Sequence, residues 1–210
     1  MKYKCLILDH DDTSVKSTPE IHYPAFLLIL DRLRPDRTCS LDEYIRWNFD
    51  PGFFDMCRKI YGFSEDEMKL EHEMWIEYLQ THIPEFYEGI PELIRAQKAA
   101  GGYVCVVSHS RKDMILRDYS AANVPAPDII YGCELPPEHL KPSTYAIEQI
   151  LLRLNLKKED VLVIDDLKPG YEMAKRAGVD FAYAAWSSTR LPEIEAFMRE
   201  NNVPFLDKPF

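Results

Sequence analysis

The chain has 210 residues, of which 46% are hydrophobic, and this composition excludes an intrinsically disordered protein. The length suits one core domain with a modest insertion. The formal net charge of −10 at pH 7 argues against a protein that binds nucleic acid through its phosphates, because such binding needs clustered Lys and Arg.

Cysteine usage and hydropathy predict a cytoplasmic protein without a membrane partner. The five cysteines are odd in number, widely spaced and without a Cys-x-x-Cys pair, which is typical of reduced thiols. No apolar stretch is long enough to serve as a signal peptide or to span a bilayer. The sequence leaves open whether the protein is a monomer or a homodimer.

The chain is organised around an N-terminal apolar run, Cys5 to Leu8, which ends in the carboxylates of Asp9, Asp11 and Asp12. A short run without alternation is typical of a strand covered by helices on both faces, and it predicts a parallel sheet. In such sheets the ligand site lies beyond the carboxyl ends of the strands. Two carboxylates two residues apart hold a cation or keep one group protonated, although an Asp-x-Asp pair alone also suits a solvated acidic turn.

The segment that follows, residues 17–83, has helical rather than strand-like periodicity and predicts a four-helix insertion. A capping box, Ser64 to Glu67, precedes the longest of these helices. The other three are predicted over residues 21–33, 41–47 and 53–61.

Strands and helices alternate through the remainder of the chain. Four further strands are predicted over residues 103–107, 129–131, 161–164 and 181–184. Helices are predicted over residues 91–99, 111–122, 144–154, 171–177 and 191–201, with Ser110 capping the second of them. This alternation predicts an α/β fold, a doubly wound, Rossmann-like parallel sheet made of residues 1–16 and 84–210. The absence of Gly-x-Gly-x-x-Gly and Gly-x-x-x-x-Gly-Lys motifs argues against a dinucleotide site or a P-loop.

Polar residues end three of the predicted strands and therefore meet at one edge of the sheet. They are Asp9 and Asp11, then Ser108, then Asp165 and Asp166, with Lys141 in a loop before the helix 144–154. Their order and spacing resemble the haloacid dehalogenase-like hydrolases, in the branch of phosphoglycolate phosphatase and β-phosphoglucomutase. The resemblance covers essentially the whole chain, and it implies that the helical insertion 17–83 is a cap domain.

The resemblance also implies roles for these residues. Asp9 would attack phosphorus to form an aspartyl-phosphate, and Asp11 would act as general acid and then general base. Ser108 and Lys141 would bind the phosphoryl oxygens. Mg²⁺ would be held by the Asp9 carboxylate, the Asp11 backbone carbonyl and Asp166.

The late acidic motif, Asp165 to Gly170, can be aligned with the family in two ways. The position of Gly170 favours Asp166 as the direct metal ligand, with Asp165 acting through a water. Two residues depart from the family pattern, Asp12 in place of a frequent glycine and Leu167 in place of a small hydroxyl residue.

Two histidines border the predicted site. The backbone amides of His10 and His109 are expected to help bind phosphate, and their side chains lie close enough in sequence to touch a substrate. A neutral role for the His10 ring is the competing interpretation.

We therefore predict a Mg²⁺-dependent phosphatase that acts on a small phosphorylated metabolite. A phosphomutase of the same branch is one alternative, because it would share every core residue. A catalytically silent binding or regulatory protein on the same fold is the other, and it is motivated by Asp12 and Leu167. The sequence does not identify the substrate.

Overall fold

The computed structural model describes residues 2–209 and contains a six-stranded sheet in which every neighbouring pair of strands is parallel. The strands are β1 Cys5–Leu8, β2 Tyr103–Val107, β3 Ile129–Tyr131, β4 Val161–Asp165, β5 Asp180–Ala184 and β6 Phe205–Leu206. They are arranged in the order β3-β2-β1-β4-β5-β6. All four residues of β1 are buried, as expected for a central strand covered on both faces. The predicted α/β fold is confirmed.

The helices lie largely where the sequence places them. They are α1 Tyr23–Leu33, α2 Leu41–Phe49, α3 Phe53–Asp55, α4 Glu65–Thr81, α5 Ile90–Ala99, α6 Lys112–Ala121, α7 Tyr145–Leu154, α8 Lys168–Ala177 and α9 Pro192–Glu200. None of the helices within residues 2–209 has both the length and the apolar character that crossing a membrane requires.

Several bounds differ from their predictions by a few residues, and three elements differ more clearly. The helix predicted over 53–61 is the three-residue α3 followed by the π-helical turn Met56–Ile60. Helix α8 begins at Lys168 rather than at residue 171. Pro169 is accepted in its first turn, because amide hydrogens at that position have no hydrogen-bond partner within the helix. Strand β6 lies in the predicted tail, where it pairs with the end of β5.

The chain divides into two compact units, and each has its own core. One unit comprises the residues up to Lys16 and those from Glu85 onward, and its core includes Leu8, Ile94 and Val106. The other unit is Ser17–Pro84, and its core consists of buried hydrophobic side chains, several of which are aromatic. The core residues of this helical unit include Phe26, Ile29, Leu30, Tyr44, Met56, Cys57, Tyr61, Phe63 and Met68.

The helical unit buries one carboxylate. Glu71, in the middle of α4, is only 5% exposed, and this burial raises the pKa of its side chain to about 7. The folded protein therefore keeps a proton on Glu71 that the unfolded chain has already lost above its ordinary pKa of 4.5. Consequently this residue makes the free energy of unfolding fall as the pH rises from about 4.5 to about 7.

We expect Glu71→Gln to remove this pH dependence. Each pKa unit is worth about 1.4 kcal/mol, so the total loss of stability that the variant avoids is about 3 kcal/mol, of which about 2 kcal/mol falls between pH 5 and pH 7.5. Urea unfolding at pH 5 and pH 7.5 measures it. Glu73→Gln, on an exposed position of the same helix, is the matched control. Parallel pH profiles for wild type and Glu71→Gln would contradict the expectation.

Candidate active site

The candidate site lies at the carboxyl edge of the sheet, where β1 runs between β2 and β4. Leu8, the last residue of β1, is in register with Val106 and Ile164. The Asp9 amide continues this pattern by donating to the Ile164 carbonyl at 2.9 Å. Because parallel strands end on the same side, the residues that follow them come together. The sheet thus gathers side chains that are far apart in the sequence.

A buried acidic cluster forms there around one lysine. Asp9, Asp165 and Asp166 are all buried, and each offers a carboxylate oxygen within 4.8 Å of the other two. The Lys141 side chain is 5% exposed, and its Nζ lies 2.9 Å from Oδ1 of Asp9 and 2.7 Å from Oδ2 of Asp165. The structure therefore brings four of the predicted residues into one cluster, with Asp165 rather than Asp166 as the acidic partner of Lys141.

Burial and charge act in opposite directions in this cluster. Burial raises the pKa of Asp166 well above its ordinary range, and the nearby carboxylates of Asp165 and Asp9 raise it further. The pKa of Asp165 is also raised by burial, against the opposing effect of the Lys141 ammonium. For Lys141 burial alone would lower the pKa, but Asp165 and Asp9 outweigh it and the pKa is raised. Lys141 is therefore charged, and its single positive charge does not balance the three carboxyl groups around it.

Asp11 is held by two hydroxyl groups that follow β2. The Ser110 hydroxyl donates to Oδ2 of Asp11 at 2.6 Å, and the Ser108 hydroxyl lies 3.3 Å from the same oxygen. The prediction that Ser110 caps the next helix is wrong. Arg111 occupies the cap position of α6 and no side chain caps it, because the Ser110 hydroxyl is bound to Asp11.

His10 has a buried environment beside α6. Its ring is 2% exposed, and Nε2 lies 3.0 Å from Oδ2 of Asp118, a buried residue of α6. The ring is therefore directed toward α6, and a contact between the His10 side chain and substrate stays a prediction. His109 is an exposed residue, and its contact with substrate also stays a prediction.

Asp166 has hydroxyl partners that the sequence analysis did not identify. Oδ1 of Asp166 accepts from Thr13 at 3.2 Å, and Oδ2 accepts from Ser187 at 3.2 Å and from Thr189. Ser187 and Thr189 lie after β5, in the 187–189 loop. Serine and threonine in a loop carry no distinctive signal, and only the pairing of β5 with β4 places this loop at the same edge of the sheet.

Gly170 packs against Asp165 at the start of α8. A Cβ at position 170 would lie 2.1 Å from the Asp165 carboxyl carbon. Asp165 cannot move aside without loss of contacts, because it accepts from Lys141 at 2.7 Å and from the Leu167 amide at 2.9 Å. The absence of a side chain at this position is therefore what lets α8 approach the acidic cluster.

We expect Gly170→Ala to destabilise the protein by about 1–3 kcal/mol, the usual cost of overpacking. This sign is opposite to that of an ordinary Gly→Ala change within a helix, which stabilises by about 1 kcal/mol. Urea unfolding of the two proteins measures the difference. A variant as stable as the wild type would contradict the close packing of Gly170 on Asp165.

The donor set fits a small divalent cation. Mg²⁺ binds through oxygen ligands, and carboxylates are the side chains that most often supply them. Asp9, Asp165 and Asp166 present such oxygens in one buried cluster with a single lysine to balance them. A dication would relieve the repulsion among these carboxylates, which adds to the effect of burial in raising the pKa of Asp166.

Comparison with known proteins is consistent with this arrangement. The family profile described as haloacid dehalogenase-like hydrolase matches residues 6–184. Pyrophosphatase PpaX of Listeria monocytogenes is 26% identical over 190 residues, which cover 89% of this chain and 85% of that protein.

Solved structures share the fold at low sequence identity. A predicted phosphoglycolate phosphatase from Haemophilus somnus superposes with a TM-score of 0.76 at 18% identity, covering 100% of this chain and 96% of that one. A variant of CbbY from Rhodobacter sphaeroides, in complex with xylulose-(1,5)bisphosphate, gives a TM-score of 0.72 at 18% identity, covering 98% and 94%. At these identities the structures establish the fold, while the profile match extends over most of the chain. The chain belongs to the haloacid dehalogenase-like hydrolase family.

Proposed function

We propose that the protein is a Mg²⁺-dependent phosphatase that hydrolyses a small phosphorylated metabolite through an aspartyl-phosphate on Asp9. The observation that carries this proposal is the buried cluster in which Asp9 lies 2.9 Å from Lys141 and close to Asp165 and Asp166. A buried carboxylate beside a fixed ammonium is suited to covalent attack on an anionic phosphoryl group, because the lysine offsets part of the repulsion between them.

The first step transfers the phosphoryl group to Asp9. Its carboxylate attacks phosphorus in line, the bond from phosphorus to the leaving oxygen breaks, and Asp11 gives that oxygen a proton. Lys141 and the Ser108 hydroxyl bind the phosphoryl oxygens during this transfer. The Ser110 hydroxyl, 2.6 Å from Oδ2 of Asp11, supports a fixed orientation of the acid.

The second step returns Asp9 to its free form. Asp11, now a carboxylate, takes a proton from a water that attacks the aspartyl-phosphate, and inorganic phosphate leaves. The same residue serves as acid and then as base, so Asp11 ends the cycle protonated. The backbone amides of His10 and His109 are proposed to assist in holding the phosphoryl oxygens.

Asp9, the Asp11 backbone carbonyl, Asp166 and Asp165 are the groups that would hold Mg²⁺. When bound, Mg²⁺ neutralises the charge of the phosphoryl group and of the acidic cluster. The position of Asp165 against Lys141 supports a direct structural role for this residue beside its part in the cation site.

The helical unit Ser17–Pro84 is proposed to be the cap domain that selects the substrate.

The five cysteines take part in no disulfide, which supports the proposal of a reducing, cytoplasmic location. Inorganic pyrophosphate is a further candidate substrate, because the relative from Listeria monocytogenes is named a pyrophosphatase.

The test is phosphate release from a panel that contains phosphoglycolate, hexose phosphates and pyrophosphate, with Mg²⁺ and with EDTA. We expect release from at least one compound that depends on Mg²⁺. Conversion of one sugar phosphate into another without phosphate release would contradict the hydrolase and favour the mutase. A folded protein that is inactive on the whole panel would favour the non-catalytic alternative.

A further inference from the structure

The 187–189 loop is hydrogen-bonded to Asp166, a proposed metal ligand. Ser187 and Thr189 are 4% and 3% exposed, and the hydroxyl groups of both approach Oδ2 of Asp166. Their hydroxyl oxygens also lie 2.6 Å apart, and the Thr189 amide donates to the Ser187 hydroxyl at 3.1 Å. Because these hydroxyls are buried and face a carboxylate, their geometry fixes the rotation of the Asp166 side chain.

The loop is in turn hydrogen-bonded to the segment that follows β1 and to Tyr87. The Ser188 hydroxyl donates to Oδ1 of Asp12 at 2.5 Å, and the Ser188 amide donates to the Tyr87 hydroxyl at 2.8 Å. The indole of Trp186 donates to the Thr13 carbonyl at 3.0 Å. A shift of the loop would therefore break the hydrogen bonds of Ser188 to Asp12 and Tyr87 as well as those to Asp166.

Asp12 therefore has a structural role as the acceptor that holds Ser188. Its backbone has a positive φ of 54°, a conformation that usually favours glycine, and its side chain is 1% exposed. A glycine would take up this backbone conformation at lower cost but would leave Ser188 without its acceptor. The aspartate is therefore explained by the anchoring of the loop.

Carboxylates that bind metals are usually oriented by hydrogen bonds from neighbouring groups, and the loss of such a partner typically weakens metal binding about 10- to 100-fold. We propose that Ser187 and Thr189 are positioning residues of the cation site, which act through Asp166 and are held in place by Asp12. This inference rests on the proposed function, because it takes the acidic cluster as a metal site.

The experiment measures Mn²⁺ binding directly, by electron paramagnetic resonance of the free ion, on the full-length protein without substrate. Thr189→Val removes the hydroxyl and keeps the shape, and we expect it to weaken Mn²⁺ binding about tenfold or more. Thr189→Ser retains the hydroxyl and is expected to bind within about threefold of the wild type. Ser187→Ala is expected to weaken binding as well, and it carries the test if Thr189→Val does not fold.

Thr144→Val is the matched control, because it removes a hydroxyl that donates at 2.7 Å to a different carboxylate, that of Glu148. Its Mn²⁺ affinity should equal that of the wild type. Unchanged affinity in both Thr189→Val and Ser187→Ala would overturn the positioning role while leaving the proposed function intact. A wild-type protein that binds no Mn²⁺ would instead overturn the metal assignment, and the positioning role with it.

Discussion

Replacing Asp9 by asparagine is expected to abolish phosphate release, with kcat reduced by at least about 10⁴-fold, as for loss of other catalytic nucleophiles. An amide has nearly the same shape as a carboxylate but is not a nucleophile toward phosphorus. The neighbours of Asp9 are Lys141, at 2.9 Å, and two further carboxylates, so the change also removes one negative charge from a crowded cluster. The variant should therefore remain folded.

Phosphate release in the presence of Mg²⁺ measures the loss, and mass spectrometry of the acid-quenched enzyme detects the phosphorylated aspartate. The wild type should carry a phosphoryl group on the peptide that contains Asp9, and Asp9→Asn should carry none. Asp113→Asn makes the same chemical change at an exposed site, where the carboxylate pairs with Arg111, and should keep full activity. Turnover by Asp9→Asn near the wild-type rate would refute Asp9 as the nucleophile.

The second large effect is expected for Lys141→Met, which keeps the length of the side chain and removes its charge. Loss of one charged donor to the transition state typically lowers kcat about 10²- to 10³-fold. The same change leaves Asp9 and Asp165 without their shared cation, and breaking a buried ion pair usually costs about 3–5 kcal/mol. Both the turnover and the free energy of unfolding should therefore decrease.

Steady-state kinetics and urea unfolding in EDTA give the two quantities for Lys141→Met. Lys175→Met, an exposed lysine of α8, is the control for the chemical change and should alter neither. A variant whose activity lies within threefold of the wild type would show that Lys141 only balances charge in the folded protein.

Much of the fold could be predicted from the sequence because its central strands are buried on both faces. Continuous apolar runs then identify β1, β2 and β4 without ambiguity. Strand β6 has two partly buried residues at the edge of the sheet, so no run marks it. The change from α-helix to π-helical turn within residues 53–61 also could not be foreseen, since no residue in the segment marks it.

The site could be predicted as far as topology determines it. Residues at the carboxyl ends of neighbouring parallel strands must meet, which is why Asp9, just after β1, and Asp165, the last residue of β4, are close to one another. The direction of a single side chain in a turn is not determined in this way. The His10 ring therefore points to Asp118, and the role of Ser110 at Asp11 became visible only in the structure.

The pairing of β1 also governs the order in which a growing chain can fold. Cys5 in β1 pairs with Tyr103 and Val161, so this apolar strand is made well before both of its partners. The helical unit Ser17–Pro84, with its own core, is complete before either partner exists. Contacts between distant parts of a chain form slowly, and unpaired apolar strands promote aggregation. During synthesis, β1 therefore remains without its sheet partners until β2 and β4 have been made.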